Sequence, residues 1–407
     1  LAVENNDTLE MQFLLLSAEL LSRYGATVFE TEDVLRLLCD KLESRGQFVV
    51  FNNMLFTAFG KQLEQRVNLT RLAGSAIDVD KLEQTQKIVE NVLLDKANVG
   101  QSLFALRQIS NRRKLYSSRW ELVSWPLIAG PFAIIFMGNW REALAAAIIA
   151  LVLAVVHLKF EGRINDRGSV GAFEPLAAVL ASFMAVFLAM ILQPLSVTLT
   201  IICGLMPLMP GYTTTRALNE IAARHVITGW SHLLNAATTF LMLAAGVVFG
   251  SFLVQAFHIA QPDYSPVPPD YLQLVVAAIL AAVAFVFYYQ INTRHVVALV
   301  LACVVTTLIV IHFGEAYGAI QGTAIAAVFA AFTGNIYARI RKCSDLIIKV
   351  PCAIILVPGG TGFRAALDFM NNRPEHGMSG ALMTFGVAMA IITGYLAVDM
   401  LMPQTKN

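Results

Sequence analysis

Leu205 to Arg216 reads LMPLMPGYTTTR, and Leu356 to Arg364 reads LVPGGTGFR. Each is an apolar run stopped at Pro–Gly, followed by small and polar residues and then an arginine. Proline removes a backbone donor and glycine permits the turn, so both runs break as helices. A break at membrane depth leaves peptide groups without helical partners, which only surrounding protein or a wet cavity can satisfy. The residues after each break can start a new helix, whose free N–H groups and positive dipole end suit a carboxylate. A plainer alternative makes both breaks simple turns at the membrane edges.

The rest of the chain supplies the membrane setting. Hydrophobic residues make up 57% of the 407 and charged residues 14%, where ordinary soluble domains carry about a quarter charged. The charge is unevenly placed: residues 1–119 hold 15 of the 29 Lys and Arg and 15 of the 28 Asp and Glu. That asymmetry predicts a soluble domain followed by a membrane domain. A net charge of +1 gives no reason to expect a nucleic-acid partner. The five cysteines lack CxxC spacing and read as buried or lipid-facing thiols.

Hydropathy predicts ten spans in two sets of five. In residues 120–258 they are Trp120–Met137, Ala143–Phe160, Val170–Leu192, Val197–Met209 and Thr228–Phe257. A Pro-rich external linker at 259–270 (QPDYSPVPPD from Gln261) precedes the second set, in residues 271–407. Its members are Tyr271–Gln290, His295–Phe313, Gly318–Tyr337, Leu346–Val357 and Met378–Met402. The fourth member of each set is too short for a plain crossing and runs into Pro–Gly.

Basic residues orient the bundle, because Lys and Arg concentrate in cytoplasmic loops. With residues 1–119 in the cytoplasm, Lys159, Arg163, Arg167, Arg216, Arg224, Arg294, Arg339, Arg341, Lys342, Lys349 and Lys406 fall inside. Only Arg141, Arg364 and Arg373 fall outside. Both termini are then cytoplasmic.

The two sets are related in sequence. A shift of 148 positions lays Pro210–Gly211 on Pro358–Gly359, Thr213 on Thr361, Arg216–Ala217 on Arg364–Ala365 and Glu220 on Asp368. Ten of forty positions are identical between 207–246 and 355–394. Five is odd, so the second set must be inverted relative to the first. Inverted repeats with paired broken helices mark secondary transporters, and the breaks point to the binding site. The expected fold is therefore a mainly α membrane protein, with two inverted five-helix repeats behind a small cytosolic domain.

The substrate-binding candidates are Pro210, Gly211, Tyr212, Thr213 and Arg216 at the first break, and Pro358, Gly359, Gly360, Thr361 and Arg364 at the second. A guanidinium fork matches a carboxylate bidentately. Each arginine has a second option, pairing four residues on with Glu220 or Asp368. Glu174, beside Pro175 in the third span, is a proton-carrier candidate, since an ionisable group in a span is expensive and by default functional. A position near hydrated headgroups is equally open to it. Glu220 and Asp368 are further proton candidates, whereas His232 and His312 read as hydrogen-bonded packing residues.

In residues 1–119, helical spacing covers Asp7–Tyr24, stopped by Gly25, and Glu30–Ser44. Strand-like runs follow at Gln47–Phe51, Met54–Phe59 and Gln65–Leu69. Helices return at Val79–Lys96, with Asp80 and Glu83 spaced like a capping box, and at Gln101–Asn111. This predicts a small α/β or α+β domain. All seven histidines lie outside it, which removes Ser-His-Asp, Cys-His and histidine-ligated metal chemistry from it. No GxxxxGK[ST] occurs. Carboxylate chemistry by Glu30, Glu32 or Asp33 is the remaining enzymatic option, and an acidic first helical turn is the simpler one. No enzyme activity, cofactor or metal is expected.

RYGATVFETEDVL (Arg23 to Leu35) and VNLTRL (Val67 to Leu72), with the ten spans, LMPLMPG and LVPGG, resemble the threonine/serine exporter (ThrE) family across essentially the whole chain. The first half is similar to a YjjP-like component and the second to a smaller YjjB-like one, which some bacteria make separately. The resemblance implies proton-driven export of threonine and serine across the bacterial inner membrane. The split relatives are associated with succinate, so a dicarboxylate exporter is the alternative. A hydrolase tethered to a membrane anchor is a third reading. The oligomeric state, a homo-oligomer included, stays open.

Overall fold

The computed structural model describes residues 9–44, 46–51, 54–59, 66–71, 77–166, 173–256, 269–356 and 359–402. Helices α1 (Leu9–Tyr24) and α2 (Val28–Lys41) come first, separated at Gly25, whose φ of 113° favours glycine. Thr27 and Glu30 close a reciprocal capping box at the start of α2. Strands β1 (Gly46–Phe51), β2 (Met54–Phe59) and β3 (Arg66–Arg71) form an antiparallel sheet in chain order, registered Phe51 to Met54 and Met54 to Arg71. Helices α3 (Val79–Leu93) and α4 (Val99–Asn111) complete an α+β unit around Phe13, Leu20, Leu35, Leu55 and Leu106. One expectation is corrected: Asp78, not Asp80, caps α3, its carboxylate accepting from Lys81 N. Asp80 lies one turn in, and Glu83 is drawn away to the membrane domain.

Helices α5 (Ser118–Ile135), α6 (Trp140–Asp166) and α7 (Phe173–Ile191) lead to the short α8 (Val197–Gly204). A 3-10 turn, Met206–Leu208, separates it from α9 (Gly211–Ala222), and α10 (Val226–Ala256) follows. The second set runs α11 (Tyr271–Tyr288), α12 (Val296–Tyr317), α13 (Ala319–Arg341), α14 (Leu346–Leu356), α15 (Gly359–Met370) and α16 (Pro374–Leu401). Eight helical segments are long and apolar enough to cross a membrane among the described residues, α14 and α15 counting together as one of them. α8 and α9, bent by 46°, make a ninth if taken together. The tenth expected span corresponds to α5, which is helical but carries Arg119, Glu121, Pro126 and Pro131 and is not among the nine. The expected linker lies mostly outside the described residues.

Helix boundaries recur at the spacing seen in sequence. α9 and α15 each have 12 residues and begin 148 apart (359 minus 211), as do α10 and α16 (374 minus 226). Arg224 and Asn372, also 148 apart, end α9 and α15 in left-handed conformations at φ 69° and 59°. α5 and α11 each have 18 residues and begin 153 apart (271 minus 118), so a five-residue difference is absorbed between them.

Packing follows the same scheme. α7 packs on α10, and α13 on α16. A Cβ on Gly246 would meet Ala178 Cβ at 2.7 Å, and one on Gly394 would meet Ala327 Cβ at 2.8 Å. Small residues therefore let both pairs approach closely, the usual basis of helix association in lipid. The halves join where α5 packs on α11, α9 on α16 and α15 on α10.

Candidate functional site

The two Pro–Gly segments lie against each other at Gly359. A Cβ on Gly359 would stand 3.7 Å from Met206 Cε and 3.8 Å from Met209 Cβ. Phe136, which follows α5, covers Gly360, while the Tyr288 hydroxyl donates to Pro207 O at 3.4 Å. Pro210 opens α9 with no side-chain cap, so its first N–H groups have no side-chain acceptor. Gly211 is buried, Tyr212 and Thr213 half-buried, and the Thr214 hydroxyl donates back to Pro210 O at 3.0 Å. The Thr215 hydroxyl is buried without a hydrogen-bond partner among the described residues.

Arg216 is committed to internal partners. Its Nε donates to Glu220 Oε1 at 3.3 Å, the i,i+4 option raised by the sequence. A terminal nitrogen donates to the Ala26 carbonyl at 2.8 Å, in the turn between α1 and α2. The Arg216 side chain is 10% exposed and that of Glu220 not at all. His232 Nε2, on α10, lies 3.7 Å from Glu220 Oε2. Glu30, in the same soluble turn, has its carboxyl raised above 4.5 chiefly by burial and also by nearby Asp345.

The second break is built differently. Pro358 lies outside the described residues. Gly359 and Gly360 are buried, and the Thr384 hydroxyl donates to Thr361 Oγ1 at 3.2 Å. Arg364 is exposed and forms no ion pair among the described residues, Asp368 included. Leu367 and Asn371, one and two turns further along α15, border a cavity of about 130 Å³. Its other walls include Ser182, Val197, Ile201 and Ser251, so none of the sequence candidates lines it. Glu174 falls in the first turn of α7, remote from Arg216 in the chain; its Oε2 is buried with no hydrogen-bond partner among the described residues.

Sequence reading missed one charge cluster, built around a buried lysine. Lys349, counted there only as a cytoplasmic positive charge, is inside α14 with a 6% exposed side chain. It pairs with Asp345 at 2.7 Å and Asp399 at 2.8 Å, and Asn335 Nδ2 also donates to Asp399 at 2.8 Å. A lysine in so apolar a run was itself the available clue.

The soluble domain docks through several such contacts. Arg294 donates to Glu83 Oε1 at 2.7 Å, and Val79 N donates to Tyr289 O at 3.0 Å. Tyr116 N donates to Gln290 Oε1 at 2.8 Å. His225 and Glu32 stand 3.9 Å apart. Burial pushes the Glu83 carboxyl up, but His295, Lys87 and Arg294 overrule it and bring it down to about 2. Of the three carboxylates in the enzymatic option, Glu30, Glu32 and Asp33, Glu30 caps α2 and Glu32 accepts Val50 N at 2.8 Å. No cluster of three or more metal-ligating side chains occurs among the described residues.

Apolar helices in two matching sets, eight or nine of them long enough to span a bilayer among the described residues, define a multi-pass membrane protein. The chain belongs to the threonine/serine exporter family. The description "Putative threonine/serine exporter" matches residues 12–254, and "Threonine/Serine exporter, ThrE" matches residues 274–401. The chain is 23% identical over 379 residues to an uncharacterized protein of Schizosaccharomyces pombe, covering 88% of this chain and 45% of that one. It is 24% identical over 372 residues to pheromone-regulated membrane protein 10 of Debaryomyces hansenii, covering 88% and 36%. With the threonine/serine exporter of Corynebacterium glutamicum it shares 21% over 350 residues, covering 84% and 71%. The chain thus spans less than half the length of these two fungal relatives and most of the bacterial one. No solved structure matches.

Proposed function

We propose that the protein is a proton-coupled secondary exporter of threonine and serine, working as an antiporter in a bacterial inner membrane with both termini in the cytoplasm. The observation that carries this reading is the contact between the two Pro–Gly segments, Gly359 against Met206 and Met209, with a nearly buried arginine further along α9. Two inverted five-span bundles would rock about that junction, exposing it to each side in turn. The soluble domain touches Arg216, His225, Arg294 and the start of α14, all in segments that the positive-inside rule puts in the cytoplasm. The coverage of the bacterial relative, 71%, favours the bacterial setting over the fungal one.

Substrate carboxylate would bind the Arg216 guanidinium on α9. Arg364 would serve the opposite opening. Purified protein in proteoliposomes should drive labelled threonine and serine against an imposed proton gradient. Flux of succinate alone would favour the dicarboxylate reading, and no flux of any of the three would sink export.

A further inference from the structure

Glu220 has one oxygen engaged and one idle. Oε1 faces Arg216, while Oε2 is buried with no hydrogen-bond partner among the described residues. His232 Nε2 stands 3.7 Å from that idle oxygen, beyond hydrogen-bond length but within reach of a small side-chain movement. A buried carboxylate oxygen left without a donor is costly, and such an atom needs an explanation. Resting on the exporter reading above, we infer that Glu220 Oε2 is the acceptor for which a proton and the α-ammonium of an amino-acid substrate compete, while Arg216 takes the substrate carboxylate.

The placement suits a zwitterion. An α-amino acid carries its ammonium and carboxylate on one carbon, so it needs an acid and a base side by side. Arg216 and Glu220 are one helical turn apart on one face of α9. The Ala26 carbonyl, bound to the guanidinium at 2.8 Å, is an internal oxygen ligand where the carboxylate would bind. When a proton adds to Oε2, the carboxylate becomes a neutral acid, its hold on the ammonium goes, and the substrate leaves. Loss of that proton restores the site. Mutual exclusion of the two cations is what antiport requires, since the carrier then crosses with one or the other. A dicarboxylate has no ammonium and gains nothing from Glu220.

The charged and titratable neighbours are Arg216 and Tyr212 on α9, His232 on α10, Glu30 from the soluble domain, and Asp345 with Lys349 at α14. α16 presents the apolar Ala388 and Ile392 to α9. His232 is the side-chain type that titrates near neutrality, which fits it to relay the proton. Its counterpart in the second half, 148 positions on, is Gly380, so only the first break holds such a pair.

Threonine counterflow in proteoliposomes, measured as half-saturation against pH, tests this. In the wild type the half-saturation concentration should rise about tenfold per pH unit on the acid side. Glu220→Gln should bind weakly with no slope, Glu220→Asp should keep the slope, and His232→Gln should keep it with a displaced midpoint. A wild-type slope in Glu220→Gln overturns the inference and leaves export intact. If Glu220→Gln does not fold, the wild type decides with the hydroxy acid that replaces the threonine amine by hydroxyl. The hydroxy acid should lack the slope, and an equal slope overturns the inference. Absence of any threonine or serine counterflow in the wild type removes the exporter reading and this one together.

Discussion

The two breaks share a sequence, Pro-Gly-x-Thr-x-x-Arg-Ala, and a 12-residue helix after it, yet their arginines live differently. Arg216 is nearly buried, tied to Glu220 and to a carbonyl of the soluble domain. Arg364 is exposed and unpaired among the described residues. The backbone device is duplicated and the charge environment is not. What separates them is the N-terminal α+β unit, whose Ala26 carbonyl holds Arg216, together with His232, which has glycine as its counterpart.

The largest effect should come where the halves differ most. Lys349→Met leaves Asp345 and the part-exposed Asp399 without their shared buried cation and should cost about 1.5–3 kcal/mol of stability. The matching position in the first half is Ile201, buried at 5% exposure, where Ile201→Met should cost less than about 1.5 kcal/mol. Thermal unfolding of the detergent-purified protein reads both, and equal losses would mean that the cluster carries no special weight.

Next come the arginines. Arg216→Gln should raise the half-saturation concentration for threonine about ten- to hundredfold, the worth of hydrogen bonds to a charged group. Arg364→Gln should change it by less than a factor of about three. Equal effects in a transport assay would point to both arginines binding one substrate at once, as a dicarboxylate would allow.

The smallest effect belongs to Glu30. Burial and Asp345 raise its carboxyl above the ordinary 4.5, so the folded protein holds that proton more tightly than the unfolded chain does. Its stabilising share is complete below about pH 4.5 and fades as pH climbs through the raised value. Glu30→Gln keeps a side chain that suits the capping box and should flatten that profile at a cost of less than about 1 kcal/mol. Unfolding curves taken across the acid range would show an unchanged slope if Glu30 is no part of it.

Much of the scaffold was legible because its causes are local. Pro207, Pro210 and Gly211 cannot continue a membrane helix, whatever surrounds them, and the 148-residue shift announced matching helices before any were seen. The soluble strands and helices followed from periodicity. The cap of α3 was misplaced by two residues because Asp78 and Asp80 are both acceptable caps, and only the path of the chain chose between them. The Arg216–Glu220 pair was foreseen as one of two options. Its third member, His232, was read as packing, because 12 residues of chain and a left-handed turn at Arg224 intervene before α10 returns it to Glu220. Lys349 was counted by its charge and not by its burial.

From the sequence alone came the composition that demands lipid, the breaks, their repetition and the family to which the chain belongs. All of these depend on residues acting on their own backbone or on solvent. Which arginine is held and which left open, which acid keeps an idle oxygen, and where the soluble domain docks were decided only in three dimensions. Those outcomes depend on the distance and burial between residues far apart in the chain, as with Ala26 and Arg216, and no local pattern encodes such a distance.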